Sequence, residues 1–313
     1  MKRTLFIVAL SIVMVIFSSC AFAEPTYKVG YSAAGLIDIL QKSWSEALKL
    51  EVEKVGGECI IIDSENRVQK QISDIEDLLV QGIDLLAICV VDEQGIIPAI
   101  EAANKAGIPV VTLDRAAAGG EIKCHVANSS YLAGYFAGEY IAALNGYRGE
   151  VLDLTGPPGM SVVRERSQGF IDAIGKYPEM TVVASMPANW DTAEAMKVVE
   201  DIMTIYPDLV GIWAHADAMI MGAIQALKEI GKNEQVVTVG MGAYGGGPEA
   251  VEEGLLNGTW EMFSTYLGEM AGLAVVKVLK GETVPTRVDV PLAFLNKDNI
   301  KRWKETKLEE IIK

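Results

Sequence analysis

Three polar features stand where short apolar runs end. Asp114-Arg115 closes the run "IPVVTLD". A carboxylate accepts hydrogen bonds from two hydroxyls, while a guanidinium donates through a rigid fork. The pair therefore matches a vicinal diol, which must both give and take. Arg164-Glu165-Arg166 follows "VLDLTGPPG", in the first turn of an expected helix, and Trp190 in "PANWD" follows another apolar run. An indole face suits the C–H face of a sugar ring. Each feature alone has an ordinary reading, as an Asp–Arg pair, a solvated helix start or a core Trp. Their joint placement at run ends favours a site.

Other chemistries are weaker. "GMGAYG" (240–245) matches G-x-G-x-x-G, but a dinucleotide site also needs an acid ending the next strand. That strand, "GTWEMFSTY", ends in Thr265-Tyr266 with its acid, Glu261, early, so a Gly-rich turn is the better reading. Cys124-His125 cannot form a nucleophile–base pair, because adjacent strand residues point to opposite faces. Ser161, near a helix start, reads as an N-cap. No GxxxxGK[ST], HExxH, C-x-x-C or GxSxG occurs.

The elements that must position these groups alternate in type. Apolar runs such as "YKVGYS", "CIIIDS", "DLLAICVVD", "EVLDLTG", "TVVASMP", "DLVGIWAHAD" and "QVVTVGMG" are separated by segments of helical period. Continuously apolar runs suit parallel strands covered by helices on both faces. Leu40, Trp44, Leu48, Val52 and Val55 mark one helix face, and Asp191 with Glu194 reads as a capping box. The stretch 84–114 resembles 208–240 in its order of strand, Asp, helix, Gly and "VVT" strand. The expectation is an α/β protein of two doubly wound parallel-sheet lobes, with a ligand cleft beyond the carboxyl ends of the strands.

The chain has 313 residues and a formal net charge of −15. That length suits two domains, and the acidity excludes a nucleic-acid binder, which needs clustered Lys and Arg. Residues 1–23 read as an export signal: Lys2-Arg3, an apolar run from Leu5 to Phe17, then Ala21-Phe22-Ala23 before Glu24. Lipid attachment at Cys20 is the alternative; either way the expected location is the periplasm. Cys59, Cys89 and Cys124 have no short spacing, so they read as buried free thiols. With two His (His125, His215) as well, neither a metal nor a cofactor is expected.

"IDSENRVQKQISDIEDLLVQGID", "AANKAGIPVVTLDR", "VVRERSQGF" and "VLKGE" resemble the periplasmic sugar-binding proteins of the ribose-binding type, from about Tyr27 to Gly281. The resemblance implies ligand contacts at Ser32, Asp114, Arg115, Arg166 and Trp190. It further implies a first lobe of 24–127 plus 267–290 and a second of 128–266 plus 291–313. The lobes would be joined by three hinge crossings, near Asn128-Ser129, Thr265-Tyr266 and Pro291. Departures mark further candidates. Asp38 lies in "AAGLIDILQ", which replaces an aromatic pair. Asp217 follows Ala216, where the pattern has Asn-Asp. Tyr266 stands where it has Gln, and Gly240-Met241-Gly242-Ala243 replaces Gly-Phe-Asp-Gly.

The resemblance implies no enzyme but a monomeric solute-binding protein. It would close by hinge motion on a sugar or polyol and deliver it to the permease of an ABC importer. The alternative is a sensing subunit that docks a membrane receptor or histidine kinase. Loss of polar partners at 216 and 242 implies a furanose, a deoxysugar or a short polyol, in a cleft whose charges Asp217 is expected to balance. The tail residues Ile300, Trp303, Leu308, Ile311 and Ile312 form an amphipathic stretch expected to pack on the second lobe.

Overall fold

The apolar runs become the strands of two sheets, and the helical segments cover both faces of each. In a computed structural model, residues 27–306 are described; the export signal, Cys20 and Leu308–Ile312 lie outside them. The chain begins with β1 (Lys28–Ala33), α1 (Ile39–Glu53), β2 (Glu58–Asp63), α2 (Val68–Val80), β3 (Leu85–Ile88), α3 (Ile97–Lys105), β4 (Val110–Leu113) and β5 (Cys124–Asn128). It continues through α4 (Ser130–Leu144), β6 (Arg148–Thr155), α5 (Ser161–Ile174), β7 (Glu179–Pro187), α6 (Thr192–Ile205), β8 (Gly211–Ala214), α7 (Asp217–Glu229), β9 (Val237–Met241), α8 (Gly247–Glu253) and β10 (Gly258–Glu261). It ends with α9 (Ser264–Leu279), β11 (Arg287–Val290), β12 (Ala293–Asn296) and α10 (Ile300–Glu305).

The first sheet runs β11-β5-β4-β3-β1-β2 and is parallel throughout. The second runs β12-β10-β9-β8-β6-β7, with only its edge strand β12 antiparallel. The two similar sequence stretches become β3-α3-β4 and β8-α7-β9, at corresponding places in the two sheets. Strands β3, β4 and β8 are buried at every residue, as a two-sided cover requires. Trp44, Leu48 and Val52 of α1 pack into the first core beside Leu267, Ala271 and Val275 of α9. Ile300 and Trp303 of α10 join the second core, as the amphipathic pattern predicts. Cys59, Cys89 and Cys124 are free and buried.

Three segments pass from one sheet to the other: Ser129, Met262–Phe263 and Pro291–Leu292. The second falls earlier than the expected Thr265-Tyr266. Phe263 takes a left-handed φ of 49° and starts α9, which belongs to the first lobe through its packing on α1. The Asn128 amide Nδ2 lies 3.2 Å from Met262 O, 3.2 Å from Val290 O and 2.9 Å from Pro291 O. One side chain thus ties the first crossing to the other two.

Two glycines set the seat of α5. A Cβ at Gly134 would collide with the backbone carbonyl of Arg166, and one at Gly169 with that of Tyr131. Helices α4 and α5 therefore touch backbone to backbone, which fixes where Arg166 starts from. Asp217, the first residue of α7, is fully buried and accepts from Thr259 Oγ1 (2.6 Å) and Tyr244 N (3.0 Å). It holds the loop after β9. Burial raises its carboxyl from 3.8 to about 7, and the two hydrogen bonds only partly oppose this.

Two outcomes follow from these seats. Gly169→Ala should cost about 1–3 kcal/mol in urea unfolding, because neither backbone can yield cheaply. For Asp217, the native state binds its proton more tightly than the unfolded chain does. Its contribution is therefore full below about pH 4 and lost as pH rises through about 7. Urea midpoints from pH 4 to 8 should fall more steeply for the wild type than for Asp217→Asn; equal slopes would refute the assignment.

Candidate functional site

The loops after β1, β4, β7, β8 and β9, together with α5, converge between the two lobes, at the carboxyl ends of the strands. They enclose a cavity of about 40 Å³. The first lobe contributes Asp38, Asp114 and Arg115 to it, and the second contributes Arg166, Trp190, His215 and Tyr244. Leu40, Trp44, Val162, Met241 and Met262 supply apolar wall. A larger open groove of about 650 Å³ runs along the crossings beside Ser129, Pro291 and Leu292. The small cavity is the better candidate, because it gathers buried charges with perturbed titration at strand ends.

Asp38 caps α1, its Oδ1 accepting from Leu40 N at 2.9 Å. Asp114 and Arg115 are both buried, with Arg115 Nε 3.7 Å from Asp114 Oδ2 and Nη1 3.4 Å from Asn66 Oδ1. Burial raises the Asp114 carboxyl, and the guanidiniums of Arg115 and Arg166 draw it back. Arg166 donates through Nη1 to His215 O at 2.7 Å, and its guanidinium carbon stands 5.9 Å from the Trp190 ring centroid. Burial pulls it down to about 10, so it stays charged at neutral pH.

Beneath it, His215 Nε2 lies 2.9 Å from Asp153 Oδ1, with both side chains fully buried. Burial lowers the His215 pKa and favours the neutral ring. Among the described residues, Arg115 Nε, Arg166 Nε and Trp190 Nε1 are buried without an acceptor. The cavity thus offers forked donors and two carboxylates with balancing charges.

Strained backbone gathers here. Asp114, Asn189, Trp190, Ala243 and Phe263 all have positive φ. Such residues cost about 1–3 kcal/mol each and persist only where the surroundings enforce them. Trp190 is also seated on Gly156, where a Cβ would strike the indole ring.

The structure brings Asp38, Asp114, Arg115, Arg166 and Trp190 around one cavity, and leaves three other expected residues outside it. Ser32 lies within β1, paired with Ile62 and Ile88 of its neighbours, so it sits in the body of the sheet rather than past its end. It is fully buried, 3.2 Å from Ser64 Oγ and accepting from Gln71 Nε2 at 3.2 Å. Asp217 lies behind the β9 loop, so Asp38, not Asp217, balances the charges. Tyr266, one turn into α9, packs on the first core.

Sequence reasoning missed His215 and Tyr244 at the cavity; the glycine-rich run around Tyr244 was the available signal. It also missed a latch across the cleft. Arg164 Nε and Nη2 reach Glu93 at 3.1 and 3.0 Å, and Ser161 Oγ accepts from Ala116 N at 2.8 Å. His125 and Cys124 do not pair; His125 Nδ1 lies 2.8 Å from Thr112 Oγ1.

Residues 30–283 match a family model described as periplasmic binding protein domain. The chain is 35% identical to the ribose import binding protein RbsB of Escherichia coli K12 over 255 residues, 82% of this chain and 86% of that one. It superimposes on an ABC transporter solute-binding protein of Mycobacterium smegmatis with bound glycerol, at a TM-score of 0.82 and 29% identity, covering 88% of this chain and 96% of the other. It also superimposes on the binding protein of the arabinose ABC transporter of Shewanella sp. ANA-3, bound to L-arabinofuranose. That match has a TM-score of 0.83 and 25% identity, covering 91% and 97%. With the match running through both lobes, the chain belongs to the periplasmic binding protein domain family.

Proposed function

We propose that this protein is exported, captures a sugar or small polyol by closing its lobes, and delivers it to the permease of an ABC importer. One observation carries the reading. Asp38, Asp114, Arg115 and Arg166 face a single cavity between the lobes with two negative and two positive charges. A phosphorylated or carboxylated ligand would upset that balance, whereas a neutral diol both accepts from the guanidiniums and donates to the carboxylates. The ribose, glycerol and L-arabinofuranose of the relatives are ligands of that class.

Closure follows from the same geometry. Ligand contacts on both lobes exist together only when the cleft is shut, so binding shifts the population to that state. The protein works as a monomer, and no step requires a cofactor or a metal. Export rests on the leader reading, with the mature chain starting at Glu24.

Three measurements test this reading. Intact mass of the exported protein should match a chain beginning at Glu24; a diacylglyceryl adduct on Cys20 would move it to the membrane surface instead. Small-angle scattering should show a smaller radius of gyration once a polyol that raises the melting temperature is saturating. An unchanged radius would rule out the closing mechanism. In calorimetry, Arg166→Ala should weaken that ligand by about tenfold or more, if one charged hydrogen bond is worth about 1.5–3 kcal/mol. Unchanged affinity would take Arg166 out of the site.

A further inference from the structure

The loop after β9 enters the cavity because its backbone leaves the ordinary region four times. Gly242, Ala243, Gly245 and Gly246 have φ of 120°, 52°, 58° and 95°. Between them Tyr244 is the one large side chain, and Asp217 holds its backbone N–H from below at 3.0 Å. Gly240 and Gly247 flank the same carboxylate so closely that a Cβ at either would strike it. The loop therefore has little freedom to carry Tyr244 elsewhere.

The ring then takes the space of another side chain. A Cβ on Gly242 would collide with Cδ1 and Cε1 of Tyr244, and would lie 3.4 Å from Leu40 Cδ1 of the opposite lobe. A side chain at 242 and the phenol ring at 244 in its present place compete for the same space. The site has taken the ring, which leaves a cavity of about 40 Å³. The ring therefore narrows the cleft on the side of the second lobe, where a side chain on residue 242 would otherwise project toward Leu40.

We propose that Tyr244 is the specificity-determining residue of this site. Its ring excludes pyranoses and admits short acyclic polyols or furanoses, whose C–H edge it covers. This rests on the polyol-binding reading above, and it adds the residue that sets the size limit. Tyr244 touches the ligand and acts by volume rather than by its hydroxyl, so removing only the hydroxyl should preserve the selection.

The test is calorimetry of the full mature protein against glycerol, xylitol, L-arabinose, D-ribose and D-glucose, for wild type, Tyr244→Phe and Tyr244→Ala. The wild type should bind glycerol, xylitol or L-arabinose and not D-glucose. Tyr244→Phe should keep that ranking within about threefold. Tyr244→Ala should lose at least tenfold for the best small ligand and gain at least tenfold for D-glucose or D-ribose. If Tyr244→Ala does not fold by circular dichroism, Tyr244→Leu, which removes part of the ring's volume, should show the same change of ranking in smaller measure. A folded Ala or Leu variant with the wild-type ranking overturns the assignment and leaves the polyol reading intact. A wild type that binds none of the five sugars and polyols overturns both.

Discussion

Everything between the lobes depends on the three crossings lying together, and the Asn128 amide is what brings them together. It has two N–H groups for three carbonyls, from Met262, Val290 and Pro291. A primary amide can share its hydrogens in this way because carbonyl oxygens at about 3 Å tolerate off-axis donors. The consequence is mechanical. Three chain passages clustered at one point let two rigid bodies rotate about that point while their cores stay packed.

The cavity is built on the same economy of rigid parts. Its charged groups start from elements that cannot shift. Arg166 rides on α5, seated against α4 through Gly134 and Gly169, and Asp38 is committed to the α1 cap. Asp114 is held at a φ of 58° beside Arg115. Guanidiniums buried in pairs would repel, and a carboxylate opposite them removes that cost. Placing two of each sign in one cavity therefore permits burial before any ligand arrives, and it leaves nitrogens such as Arg166 Nε without an acceptor among the described residues.

How far the sequence revealed this depended on the length scale. Strands that are apolar throughout, and the repeated strand–helix–strand unit, give the two sheets, because burial on both faces imposes its own pattern. Asp114, Arg115, Arg166 and Trp190 were legible because each follows a strand, and strand ends point to the cleft. Ser32 was misread because its distance from the end of β1 could not be judged without the strand's register. Asp217 was misread for a subtler reason: it also follows a strand, but its side chain turns under the next loop rather than into the opening. Tyr244 was only half legible, because a run of glycines says that the backbone is unusual and not which way it bends. The crossing at Met262–Phe263 was hidden for a similar reason, since a single left-handed Phe ends the passage.

The contacts that close the cleft are few and modest, and this decides what the ligand must supply. The Glu93–Arg164 fork is partly in solvent, with Arg164 61% exposed, so it is worth about 1 kcal/mol at most. The Ala116–Ser161 bond and the backbone bond from Glu93 N to Gly159 O at 2.9 Å add about 0.5–1.5 kcal/mol each. Together these contribute at most a few kcal/mol. Moving such an equilibrium from about 1:99 to 99:1 takes about 5.5 kcal/mol of difference in ligand affinity between the two states. Two or three charge-assisted hydrogen bonds formed only on closure would reach that figure at about 1.5–3 kcal/mol each. Arg115 with Asp114 on one lobe and Arg166 on the other are placed to provide them. A ligand that met only one lobe could bind, but it would gain nothing from closing, so it would not close the protein.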